Sequence, residues 1–147
     1  MGATPADSSQ AAIEAYLLAE TYKQAPWVPQ SAAPREAESV VSIHGKVMVW
    51  QNDTQVASAI AAMGSTSATA MTGSMAVKDF YDNADMLIGQ AVMLKVAGDA
   101  LKWVFYCKTT NAADAARCND EAANPFYGDE NSSCNQCHFG QVYSMVP

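Results

Sequence analysis

The chain reads as an α+β domain, mainly an antiparallel β-sheet meander with one or two packed helices and a short C-terminal functional segment. Three observations predict this. Runs of β-branched and aromatic residues recur through the middle of the chain, separated by turn residues. Two short segments near the N-terminal side carry helix-capping residues and apolar spacings of three and four. The chemistry-bearing stretch "SSCNQCHFG" comes after the last strand, with nine residues beyond His138.

Length and composition set the frame. At 147 residues the chain is one domain, residues 1–147, long enough for its own core. Residues 1–39 form an N-terminal helix and an extended proline-containing segment, and residues 40–147 the sheet and the C-terminal segment. Half the residues are hydrophobic and 16% charged, the balance of a folded protein with an Ala- and Met-rich interior. The net charge of −7 argues against nucleic acid, because no row of cations is available to neutralise phosphates. No run of eighteen apolar residues predicts a membrane span.

Asp7 and Gln10 resemble a capping box, and Ala11, Ala15, Leu18, Ala19 and Tyr22 then fall on one helical face. The helix should end before "APWVPQSAAP", whose three prolines predict an extended connection. "VVSIHGKVMVW", 40–50, predicts a long strand with Gly45 as a bulge or bend. Asp53 or Thr54 caps a second helix carrying Val56, Ile60 and Met63 and ending at Gly64. A Ser/Thr/Ala loop follows. "SMAVKDF", "MLIGQAVMLKVA" and "LKWVFYCK" are three further strands, the last two joined by a turn at Gly98 and Asp99. In the last strand Leu101, Trp103, Phe105 and Cys107 share one face and Lys102, Val104, Tyr106 and Lys108 the other. The segment 109–133 reads as a long functional loop.

Cys134, Cys137 and His138 spell C-x-x-C-H, the spacing at which two sulfurs reach the two vinyl groups of one porphyrin while the adjacent imidazole ligates the iron. The motif predicts one covalently attached haem c, with His138 as proximal ligand. A zinc site remains open, with Cys107, Cys118 or His44 as a fourth ligand, as does a plain disulfide. A thioredoxin-like pair would open a helix after an early strand, which this pair does not. Cys107 and Cys118 read most simply as a disulfide closing a loop over ten intervening residues. Attachment of haem c and four cysteines in a small chain both favour an oxidising compartment, periplasmic or extracellular. The N-terminal "MGATPADSSQ" has neither a basic nor an apolar signal region, so the export signal is expected to have been removed.

Other ligands compete for the iron. His44 is the second histidine of the chain, and bis-histidine ligation would make a six-coordinate electron carrier; a histidine beside Gly45 also bonds locally in many bends. Among the eight methionines, Met63, Met71, Met75, Met86, Met93 and Met145 offer thioethers, with core packing as the plainer role for those inside elements. Trp27, Trp50, Trp103, Tyr106 and Tyr127 could wall a dry haem pocket or simply fill a core. No nucleophile–base–acid set or phosphate cradle is spaced for catalysis.

Five blocks in order, "IHGKVMVWQND", "GSMAVKDFYD", "AVMLKVAG", "LKWVFY" and "CNQCH", resemble the cytochrome P460 family, over residues 40–143. The resemblance implies a sheet-rich mono-haem c-type protein related to the β-type cytochromes c′. It implies Cys134 and Cys137 as thioether attachments and His138 as axial ligand. Lys78, in "AVKDF", matches the lysine that in the P460 proteins is cross-linked to the porphyrin and is associated with hydroxylamine oxidation. Relatives without that bond hold nitric oxide. The Cys107/Cys118 pair departs from the family pattern, and Asp114, Asp120 and Glu121 do not match its distal carboxylate securely. The expected function is therefore a cytochrome that binds or oxidises a small nitrogen species and passes electrons to a carrier protein. The alternative is a six-coordinate electron-transfer cytochrome c. Expected partners are the nitrogen ligand, a redox partner protein and, in a homodimer, a second copy of the chain.

Overall fold

The computed structural model describes residues 4–36, 43–61, 70–96, 102–119, 123–129, 131 and 134. They form an α+β domain around one seven-stranded antiparallel sheet, as the sequence predicts. Helix α1 (Gln10–Ala19) leads through a 3-10 turn (Thr21–Lys23) to the two-residue strands β1 (Val28–Pro29) and β2 (Arg35–Glu36). Strand β3 (Lys46–Gln51), helix α2 (Asp53–Ala61), β4 (Met75–Tyr81), β5 (Leu87–Lys95) and β6 (Trp103–Thr109) come next. A 3-10 segment (Ala112–Cys118) then precedes β7 (Phe126–Asp129). The spatial order is β1-β3-β4-β5-β6-β7, with β2 also on β3. No described helix is long and apolar enough to cross a membrane.

The N-terminal helix is capped by Ser9, whose Oγ accepts from the Ala12 amide at 3.3 Å, while Asp7 accepts from the Ser9 amide at 2.8 Å. The cap is therefore two residues later than the Asp7 box, and the helix rotates accordingly. Ile13, Tyr16 and Leu17 are buried, and Leu18, expected on the inner face, is 87% exposed. Glu20 ends the helix in the left-handed region, φ 53°. The proline-containing stretch after it is more than a connection. It supplies β1 and β2, both antiparallel to β3.

The long strand expected over 40–50 begins at Lys46; residues 40–42 lie outside the described set, and Gly45, φ +64°, turns the chain into it. Helix α2 is capped by Asn52 rather than Asp53 or Thr54, because Asn52 Oδ1 reaches the Gln55 amide at 2.9 Å. Its buried residues include Gln55 and Ser58, whereas Val56 is half-buried. The side chain of Ile60, Met63, Gly64 and the Gly98–Asp99 turn lie outside what is described. The expected loop 109–133 is partly structured, since it holds the 3-10 segment and β7.

Alternation along β4 gives the sheet two buried faces. Met75, Val77, Val92, Leu94, Val104 and Tyr106 pack with Ile13, Tyr16, Leu17, Tyr22 and Trp27 on the α1 side. Ala76, Met93, Trp103, Phe105, Phe80 and Cys107 occupy the other side. Asp79 is fully buried on the α1 side. Its Oδ1 accepts from Tyr22 Oη at 2.8 Å and from Gln90 Nε2 at 3.1 Å, and its Oδ2 from Trp50 Nε1 at 3.3 Å, with Lys23 Nζ 3.9 Å away. Burial raises its carboxyl above the ordinary range, against the pull of those donors. Burial and the Asp79 carboxylate together push the Tyr22 phenol up.

Asp79→Ala should cost about 2 to 4 kcal/mol in urea unfolding, because one buried and two half-buried donors lose their acceptor. The folded state holds the Asp79 proton more tightly than the unfolded chain, so this residue's contribution favours folding at acid pH and declines as pH rises above 3.8 through the raised value. Stability measured against pH should lose that decline in Asp79→Ala.

Candidate functional site

The face of the sheet turned away from α1 carries the sequence-predicted residues that are described. Val49, Lys78, Ala91, Cys107 and Phe126 form one row across five strands, each in register with the next. The neighbouring row is Gln51, Ala76, Met93, Phe105 and Gly128. Lys78 thus emerges between small residues, Ala76 on its own strand and Ala91 beside it, with larger apolar groups at either side. Its side chain is only partly exposed, and among the described residues no acceptor lies within hydrogen-bond reach of its ammonium. Burial pushes its pKa down from 10.5 to about 8.

Cys134 is half-buried and packs on the same face, against the cluster of Ala70, Ala76, Met93, Trp103 and Phe105 that Val49 and Phe126 extend. The first cysteine of the C-x-x-C-H motif and the strand lysine are therefore brought to one face. Cys137 and His138, like Met145, Asp120 and Glu121, lie outside the described residues.

The other end of this face is closed by the Cys107–Cys118 disulfide, with Cα atoms 5.8 Å apart. Both cysteines are buried with Val47 and Phe80. The bridge pins the 3-10 segment to β6, and Arg117 ties it to the β3 side. Its Nη1 donates to the Tyr81 carbonyl at 2.9 Å and the His44 carbonyl at 3.3 Å, and its guanidinium lies over Gly45. A Cβ at Gly45 would sit 3.2 Å from that guanidinium carbon, at a backbone φ of +64° that side chains disfavour. Asp114 lies 3.9 Å from Arg117 and belongs to this strap. The His44 ring stacks on Phe80, centroids 5.4 Å apart, and its Nδ1 donates to the Arg117 carbonyl at 2.8 Å. Because a carbonyl only accepts, Nδ1 carries the proton.

This geometry sorts the remaining candidates. Cys107 and Cys118 are spent on each other and cannot serve as thiolate ligands for zinc. Among the described residues no three His, Cys, Asp or Glu side chains converge as a metal cluster. Met75 is buried on the α1 side, Met71 and Met86 are exposed, and Met93 alone of the described candidates packs in the Cys134 cluster. Trp27, Trp50 and Tyr106 belong to the α1 face, so they do not wall the Lys78 face. Tyr127 is exposed, its hydroxyl donating to the Ser8 carbonyl at 2.7 Å. Trp103 remains on the Lys78 side, fully buried.

Two polar residues on or near this face were not singled out from the sequence. Lys95 is buried with its ammonium 5.7 Å from the centre of the Trp103 ring. Alternation from Ala91 through Met93 places it on this face and was a legible signal. Gln55 is fully buried, and among the described residues neither Oε1 nor Nε2 has a hydrogen-bond partner. Such a group costs about 1 to 3 kcal/mol unless something bonds it. A polar residue one turn after Asn52 carries no sequence mark of this kind.

Among the described residues, the small and apolar side chains around the Lys78 amine and Cys134 are of a kind compatible with a flat apolar group such as a porphyrin. No protein-family model, no curated protein and no solved structure matches the chain.

Replacing both Cys107 and Cys118 by Ser should lower unfolding stability by about 2 to 3 kcal/mol through the larger freedom of the unfolded loop. Lys78 has its folded pKa lowered, so its contribution makes stability rise with pH between about 8 and 10.5. Lys78→Met should remove that rise and gain about 1 to 3 kcal/mol at neutral pH, the partial solvent access of the site reducing the full effect. Thermal unfolding across pH checks both parts.

Proposed function

We propose that the chain is a mono-haem c-type cytochrome of P460-like type, exported to the periplasm or beyond, which binds or oxidises a small nitrogen species such as hydroxylamine or nitric oxide. The observation that carries this reading is the placement of Cys134 and Lys78 on the same apolar sheet face. In this reading Cys134 and Cys137 hold the porphyrin by thioethers and His138 ligates its iron. The haem, when bound, supplies a redox centre able to take electrons from a nitrogen substrate and release them singly to a carrier protein.

The residues around it have separate tasks. Phe105, Met93 and Trp103 exclude water, which keeps the site dry and strengthens polar contacts within it. Among the described residues Lys78 has no counter-charge, and its pKa of about 8 leaves part of the population as a neutral amine at neutral pH. A neutral amine has the lone pair that bonding to an electrophilic porphyrin edge requires, and this supports the match to the cross-linked lysine of the P460 family. His44, with Nδ1 donating to the Arg117 carbonyl and its ring on Phe80, fits a locally tethered side chain. That favours a sixth position left for substrate over a bis-histidine carrier.

The optical spectrum of protein matured with haem c tests the reading. A broad, red-shifted reduced Soret band is expected, and Lys78→Arg should shift it and abolish hydroxylamine turnover. Sharp α and β bands of low-spin haem, unchanged in Lys78→Arg, would replace this reading by an electron carrier.

A further inference from the structure

Four aromatic rings meet on the α1 side of the sheet, with Tyr22 as their hub. Its ring centre lies 6.4 Å from that of Tyr16, 6.2 Å from Trp27 and 6.1 Å from Trp50, and Tyr16 lies 6.0 Å from Trp27. Trp50 is half-buried and the other three are buried. Rings at this separation are in van der Waals contact, close enough for an electron to pass between neighbours.

The Tyr22 hydroxyl also has a base to take its proton. It donates to Asp79 Oδ1 at 2.8 Å, both residues being fully buried, and accepts from Gln90 Nε2 at 2.6 Å. Asp79 accepts from Gln90 and Trp50 as well, with the Lys23 ammonium 3.9 Å away, a set of donors that fits the ionised carboxylate. Two other described phenols differ. Tyr106 Oη is 3.4 Å from Glu14 Oε1, too far for a strong bond, and Tyr127 donates to the Ser8 carbonyl, far too weak a base to take a proton.

Burial, reinforced by the Asp79 charge, resists conversion of the Tyr22 phenol to phenolate. The Lys23 ammonium, 5.6 Å from the ring centre, resists a positively charged ring. An electron therefore leaves Tyr22 together with the proton. The O–H bond breaks, the proton bonds to Asp79 Oδ1, and a neutral phenoxyl and a neutral carboxylic acid remain. The Gln90 N–H still has the phenoxyl oxygen to donate to.

We propose that Tyr22 and Asp79 form a one-electron redox site, which a diffusible one-electron oxidant reaches through the half-buried Trp50 indole. The oxidant gains one electron, Trp50 is left unchanged after relaying it, and the hole comes to rest on Tyr22. The site stands on the opposite side of the sheet from Lys78 and does not rest on the cytochrome reading.

The test uses tris(bipyridine)ruthenium(III), generated by light, as oxidant of the full-length protein at neutral pH, with radicals trapped by freezing and identified by electron paramagnetic resonance. The parent should give a phenoxyl signal. Tyr22→Phe should lose it and leave an indolyl signal, whereas Tyr106→Phe and Tyr127→Phe should keep it. Asp79→Asn retains an acceptor oxygen but is no base, and should lose the phenoxyl signal too. Cooperative thermal unfolding shows that each variant folds, and Tyr22→Phe, which keeps the ring, decides the matter even where Asp79→Asn does not fold. No phenoxyl signal in the parent, or one that survives in Tyr22→Phe, would overturn the site. A signal in folded Asp79→Asn equal to the parent's would overturn the pairing with the carboxylate.

Discussion

The buried carboxylate of Asp79 is the constraint on which the arrangement of the sheet depends. Strand side chains alternate, so a one-residue slip in β4 would exchange its two faces. Purely apolar residues would tolerate such a slip poorly but not forbid it, since Met75, Ala76, Val77 and Phe80 are apolar on both faces. Asp79 forbids it. On the α1 side the carboxylate meets Tyr22, Gln90 and Trp50, and on the other it would stand among Val49, Ala91 and Cys107, which offer no side-chain donor. The donors come from the turn after α1, from β5 and from β3, so a single group holds three elements to β4.

The position of Lys78 is a geometric consequence of that commitment. With Asp79 turned to α1, the preceding residue must point the other way, into the apolar face. Among the described residues that face has no carboxylate for it, and burial lowers the amine's pKa to about 8. The adjacent acid does not act as its counter-ion, because the sheet lies between the two side chains. A polar face that binds a helix and an apolar face that presents one amine are thus two results of a single alternation.

Around that amine the chain builds unequal ends. One is stiff: the disulfide, Arg117 and His44 lash the 3-10 segment across Phe80, with Gly45 giving way to the guanidinium. The other contains Cys134, with Lys95 on the Trp103 ring. Among the described residues, the Lys78 amine and the Gln55 carboxamide are the polar groups left without partners.

The C-x-x-C-H spacing, the strand alternation of "AVKDF" and "LKWVFYCK" and the antiparallel architecture were legible in the amino-acid sequence, because each depends on neighbours within a few residues. The inner face of α1 was not: Ser9 displaced Asp7 as the cap, and Leu18 went to solvent while Leu17 went to the core. Residues 109–133 read as loop because β7 is four residues long and is a strand by virtue of its pairing with β6. Nothing local in the sequence marked Asp79 as buried, because the group that bonds it, Tyr22, lies 57 residues away. Sequence by itself determined which residues could attach a porphyrin and which periods the strands follow. Only the tertiary structure decided which face received Lys78 and Cys134, and which polar side chains were left without partners, because burial and pairing are set by contacts between segments remote along the chain.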